Sequence, residues 1–345
     1  MTNTTFNSTN YTLRLTPDND TFSTNTTRFE LSPDLTSEHR LYLLVYHCVM
    51  FVVGTVGNAL LLICTLRHKE EPNTYGLTLS TLLGRDKTRN FRINRVVIME
   101  NISFNGFMIC LTVMAPVLTT HVLKRWALGH VMCKLIAQST EILYISGLLV
   151  YFTMSLHRLG VVICPNTNIK PSQIRLLTMW LWVGTTFMVI FLNIISFSSA
   201  EFDQFQGTCS ILNQTSYQLP RFIVYITLYA GCLLTIFTCA VLLAVQSLCG
   251  KNPELDESLT PSLLFYAVAW SALLVKMVSV TFSWDLSPLA DVATTSAPEI
   301  QVALNPVLMF CRHTLLRKDL LDLVQCVACR GKKRVDSEME LSASA

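Results

Sequence analysis

Three charged side chains stand where the surrounding sequence is almost wholly apolar: Glu141 in S-T-E-I-L-Y, Lys276 in L-L-V-K-M-V, and Glu299 in S-A-P-E-I-Q. A fourth, Arg158, sits in S-L-H-R-L-G-V-V. An ionisable group inside an apolar run is costly unless it is paired or takes part in function. The chemistry open to these residues is recognition of a ligand, or pairing with one another as Lys276 and Glu299 could do. Bond-making chemistry has no matching constellation. His47, His68, His121, His130, His157 and His313 are scattered, with no Cys or His partner at metal-ligand spacing. No glycine loop that would cradle a phosphate and no serine elbow is present, so neither an enzyme nor a cofactor site is expected, and nucleic acid is not an expected partner.

The elements that must hold these residues follow from composition. Of 345 residues, 51% are apolar and 14% charged, against about 25% charged in an ordinary soluble domain. The deficit falls in seven apolar runs, at about 41–66, 96–123, 131–156, 176–200, 222–248, 259–284 and 290–311. Runs of this length read as membrane-crossing helices. A helix from Cys133 to Arg158 would extend about 37 Å at 1.5 Å per residue, beyond the roughly 30 Å of a hydrocarbon core. The last run is the weakest, interrupted by Asp291, Thr294, Thr295, Ser296, Glu299 and Gln301, and is expected to face other helices rather than lipid.

Of the 26 Lys and Arg, 18 lie in 67–95, 157–175, 249–258 and 312–345, which the positive-inside rule makes cytoplasmic. Asn3, Asn7, Asn10, Asn19 and Asn25 each begin a glycosylation sequon, and so does Asn213. Both signals put the N-terminus outside. No apolar stretch precedes the first run, which is therefore expected to act as its own signal anchor.

The order of particular residues adds a resemblance. Asn58 in the first run, Pro116 in the second, then Trp126, Gly129, Cys133, Arg158 and Pro165, a tryptophan at 180 or 182, and Asn305-Pro306 in the last run follow one another as in class A (rhodopsin-like) G-protein-coupled receptors. The chain resembles a divergent member, of the orphan or herpesvirus-encoded kind. The resemblance covers residue 37 to about 330 and implies an all-α membrane protein: a seven-helix transmembrane bundle with a short amphipathic eighth helix. On that topology Cys133 and Cys209 meet at the outer face, where an oxidising compartment favours a disulfide.

The organisation expected is a glycosylated, disordered extracellular tail over 1–36 and a bundle over 37–311 with a long first cytoplasmic loop at 67–95. An amphipathic membrane-surface helix over 312–330 and a cytoplasmic tail over 331–345 follow. Within the long loop, 75–83 reads either as a surface helix or as a tolerated insertion. Cys326 and Cys329, beside a basic cluster, are palmitoylation candidates; two free thiols are the alternative.

Departures from the family pattern bear on mechanism. His157 stands in place of the acid before Arg158, and Leu159 in place of the following tyrosine. Counting eight residues back from Pro116, Met108 takes the place of the sodium-binding acid. Trp270 matches the rotamer-switch tryptophan, but Ala272 replaces the proline after it, and Met309 replaces the tyrosine closing the Asn305-Pro306 motif. Loss of the acids loosens the resting state, whereas loss of the switch residues impairs the active one. Thr140 stands where amine receptors carry an aspartate, which disfavours an amine ligand. Thr140, Glu141, Tyr144, Tyr266, Lys276 and Glu299 are the ligand-pocket candidates, the aromatic ones having ordinary core packing as their alternative.

Two readings of function follow. In one, the chain is a plasma-membrane receptor, with endosomal cycling, that senses an extracellular peptide or lipid ligand and acts through a heterotrimeric G protein, constitutively or by weak coupling. In the other, it signals poorly and works by ligand sequestration, trafficking or hetero-oligomerisation. The lipid bilayer is a partner in both.

Overall fold

The computed structural model describes residues 29–30, 37–70, 82–164, 169–195, 200–203, 207–210, 219–248, 260–282, 284, 286–312, 316–323 and 325. Asn3, Asn7, Asn10, Asn19, Asn25, Asn213, Pro165, Cys326 and Cys329 lie outside them.

Among the described residues the chain is a helical bundle: α1 (Ser37–Glu70), α2 (Leu82–Ile109), a π-helical turn (Cys110–Met114), α3 (Ala115–Leu123), α4 (Gly129–Ile163), α5 (Pro171–Ile195), α6 (Leu219–Leu248), α7 (Thr260–Thr281) and α8 (Pro288–Arg312). Residues 316–323 are helical as well, and Leu316 packs into the main core. Two short antiparallel ladders accompany the helices among the described residues. β1 (Phe29–Glu30) pairs with β2 (Arg125–Trp126), and β3 (Glu201–Asp203) with β4 (Thr208–Ser210).

Among the described residues six stretches are long and apolar enough to cross a membrane: Arg40–Arg67, Ile93–Leu123, Gly129–Ile163, Pro171–Ile194, Arg221–Gln246 and Thr260–Thr281. The protein is thus built as a multi-pass membrane protein. Its surface agrees. Val131, Phe187, Ile194 and Leu234 are each about two-thirds exposed or more, while Asn58, Asn105, Arg158, Arg221, Gln301 and Asn305 are buried. That inversion is stable only where the surroundings are apolar and polar groups must find partners inside.

α8 is not among the six. It is 25 residues long, with Asp291 in its first turn and Arg312 in its last complementing the helix dipole. Its polar residues Glu299, Gln301 and Asn305 are buried against the other helices, and Leu304 and Val307 face outward. Composition therefore understates how well α8 is accommodated, because these three polar side chains do not meet the surroundings.

Two boundaries differ from the sequence-based expectation. The first connection is not a 67–95 loop. α1 continues to Glu70 and α2 begins at Leu82, so most of that stretch is helix. Once a helix is nucleated, each further residue adds a hydrogen bond at little cost, and the Arg/Lys-rich residues after Leu82 are good helix formers. Phe29 and Glu30, expected in an unstructured tail, form a ladder with Arg125 and Trp126.

Candidate functional site

One end of the bundle holds a cavity of about 970 Å³, counted out to its open mouth. α3, α4, α6, α7, α8 and the β4 strand supply its walls. Cys133 at the start of α4 is disulfide-bonded to Cys209 in β4, with the Cα atoms 5.3 Å apart. The bridge pins the β3–β4 hairpin over the cavity, and Trp126 and Ala200 pack beside it. The π-helical turn inserts one residue into the second membrane crossing, which resets the face presented beyond it. Val113, Pro116 and Val117 reach the cavity from that segment.

Five of the six ligand-pocket candidates, Thr140, Glu141, Tyr144, Lys276 and Glu299, line the cavity. Tyr266 does not; it lies deeper. Glu141 is saturated. It is ion-paired to the guanidinium of Arg221, and it accepts hydrogen bonds from Tyr225 Oη at 3.3 Å and Asn193 Nδ2 at 3.4 Å. Arg221 also lies over the Tyr225 ring, 5.2 Å from its centroid. Lys276 donates from Nζ to Thr295 Oγ1 at 2.7 Å and pairs with Asp291 at 3.2 Å. Its ion-pair partner is thus Asp291 rather than Glu299. Glu299 instead faces α1, with His47 Nδ1 3.5 Å from its Oε2. The His47 ring stacks on His121 at 5.0 Å. Thr140 Oγ1 is spent on the carbonyl of Ile136 at 2.8 Å.

Beneath the cavity lies an aromatic stack centred on Trp270. Tyr144 meets it edge-on at 5.0 Å, Tyr266 stacks at 5.1 Å, and Tyr151 stacks on Tyr266 at 3.8 Å. Gln301 on α8 ties the stack down, accepting from Trp270 Nε1 at 3.2 Å and donating to Tyr151 Oη at 3.0 Å. A small polar cavity of about 250 Å³ follows, lined by Asn58, Asn105, Gly106, Gln301 and Asn305 among others. Asn58 donates to the carbonyls of Gly54 at 2.8 Å and Val302 at 3.1 Å, and Asn305 accepts from Ser262 at 2.6 Å. Met108 lies elsewhere, packed on the apolar cluster of Ile109, Cys110 and Val302. The eight-residue count back from Pro116 crosses the π-helical turn, so helical phase does not carry over. The polar side chain that reaches this cavity from α2 is Asn105.

At the far end of α4, His157 and Arg158 are both buried, at 7% and 4% exposure. Asn94 on α2 places its Nδ2 3.4 Å from His157 Nε2 and donates to the carbonyl of Ile169 at 2.8 Å. Leu159 is half-buried, and Met309 is packed in the core. Pro306 meets α1 at Gly57, where an added Cβ would lie 3.1 Å from the proline ring. The fourth-helix tryptophan turned inward is Trp182, whose Nε1 donates to Asn101 Oδ1 at 3.3 Å, whereas Trp180 is exposed.

Sequence reading missed Arg221, Asn193, Asn94, Gln301 and the His47–His121 pair. Arg221 had a signal, a cation at the very edge of an apolar run. The amides had none, since a lone Asn or Gln in a span carries no periodicity of its own. No protein-family model matches this chain, and no curated protein matches it either.

Proposed function

We propose that the chain is a rhodopsin-like seven-helix receptor, with α8 as its seventh crossing, that binds an extracellular ligand in the α3–α8 cavity and acts on a heterotrimeric G protein through Arg158. The observation that carries this reading is continuity. α4 runs from the disulfide-pinned cavity wall to buried Arg158, and the Trp270 stack with its Gln301 and Tyr151 hydrogen bonds fills the space between. A ligand touching Tyr144 thereby touches the stack, and two packings of that stack would bias both ends. The lysine and arginine distribution and the N-terminal sequons support an outside N-terminus at the plasma membrane.

The test is basal G-protein activation in cells, read by subunit-dissociation sensors, for wild type and Arg158→Ala at matched surface expression. Activity in wild type that disappears in Arg158→Ala is the expected result. Equal readings in both would replace this function with a sequestering or trafficking one. One observation favours that second reading. Met309, where the family pattern carries a tyrosine, is packed in the core and brings no hydroxyl to the active state. Ligand uptake independent of Arg158 would be its signature.

A further inference from the structure

The cavity's polar inventory narrows what it can hold. Most hydrogen-bonding groups on its wall are already committed: Trp126 Nε1 to the Gly129 carbonyl, Thr140 to the Ile136 carbonyl, Thr295 to the Asp291 carbonyl, and Tyr225 to Glu141. Glu141 is met by three donors. The remaining wall is mostly aliphatic or aromatic, with Val113, Val117, Ile136, Leu273 and Met277 prominent, and Thr208, Ser210 and the Tyr144 and Tyr229 hydroxyls as its other polar groups. A peptide brings one amide N–H and one carbonyl per residue, more than these few groups can partner. A hydrocarbon chain brings none.

Two groups stand apart, both on the α7–α8 side. Lys276 is buried, has three donor hydrogens, and spends them on a neutral hydroxyl and on Asp291, whose side chain is a third exposed. Asp291 is the more solvated member of the pair, so an incoming anion can take its place on Lys276 while the Asp291 carboxylate turns towards solvent. Glu299 is 3% exposed; Tyr46 and His47 of α1 lie beside its carboxyl, and its Oε2, 3.5 Å from His47 Nδ1, has no donor in hydrogen-bond geometry. Thr295, which holds Lys276, lies four residues before Glu299 on the same face of α8. A cation and an open acceptor are thus side by side on one wall of an otherwise apolar chamber.

We infer that the cavity binds a single-chain amphiphile whose head group carries an acidic group next to a hydrogen-bond donor. The acid pairs with Lys276, the donor hydroxyl reaches Glu299, and the chain lies along the aliphatic wall. This rests on the receptor reading for its consequence, but not for its test.

The test is equilibrium binding to the full chain in phosphatidylcholine nanodiscs with no G protein present, so its failure leaves Arg158-dependent signalling untouched and the converse. The probe is radiolabelled oleoyl lysophosphatidic acid, competed by oleyl phosphate (no hydroxyl), monoolein (no acid) and glycerol 3-phosphate (no chain). Saturable binding is expected, with monoolein and glycerol 3-phosphate each weaker by about tenfold or more. Lys276→Gln should erase the advantage over monoolein, and Lys276→Arg should keep it. Glu299→Met, which removes the acceptor, should erase the smaller advantage over oleyl phosphate. If a variant melts early, the competitor series on the unchanged protein still decides. Equal competition by all three, or no saturable binding, would overturn the inference. So would displacement by peptides but by no single-chain lipid.

Discussion

Glu141 shows what a buried charge requires. Three donors from two helices converge on its carboxylate, Arg221 and Tyr225 from α6 and Asn193 from α5. Removing one member of such a pair strands the other in an apolar interior, at about 3–5 kcal/mol, whereas replacing both with apolar groups of like size is often nearly neutral. Glu141→Ala and Arg221→Ala should therefore each lower the melting temperature of the purified protein sharply. The double variant Glu141→Leu with Arg221→Met should recover most of the loss. A double variant as unstable as the sum of the singles would mean that the two side chains do not act as a pair. At this scale the sequence exposed the charges but not their partners. Glu141 and Lys276 are conspicuous against their apolar runs. That Lys276 chooses Asp291 over Glu299 depends on the rotation of α8, which no spacing rule gives.

The helices were legible as apolar runs, and their ends were less so. Pattern could not say that charged residues after Leu82 continue α2, because helix propagation outruns hydropathy. The π-helical turn was invisible for a related reason: it adds a residue without changing composition, so a count across it from Pro116 does not find Asn105, the α2 polar side chain at the inner cavity. Helix contacts can be tested through glycines. α1 and α8 close on each other at Gly57, where a Cβ would stand 3.1 Å from the Pro306 ring, while a Cβ on Gly184 would meet nothing within 4 Å. A proline ring on a packed helix has little room to give, so Gly57→Val should cost about 1–3 kcal/mol by overpacking. Gly184→Val should cost far less, and thermal melts of the two variants in one lipid would separate them. Similar melting temperatures would show that α1 and α8 are not tightly apposed.

For the whole molecule, the arrangement of polar residues inside and large apolar residues outside was foreseeable from composition, and six crossings satisfy length and apolarity by themselves. The seventh depends on context. α8 buries Glu299, Gln301 and Asn305 against α1, α2 and α7, so a crossing by α8 would cost far less than its composition implies. Parity makes this testable. With seven crossings the two chain ends lie on opposite sides of the membrane, and with six they share a side. Epitope tags at the two termini of the full chain, probed in intact and permeabilised cells, should give an N-terminal tag stained without permeabilisation and a C-terminal tag stained only after it. Both tags stained in intact cells would leave α8 outside the bilayer count. Glu299 and Lys276 would then line a vestibule at the surface rather than a cavity within the membrane, and the apolar chain of an amphiphile would lose the environment that favours its entry.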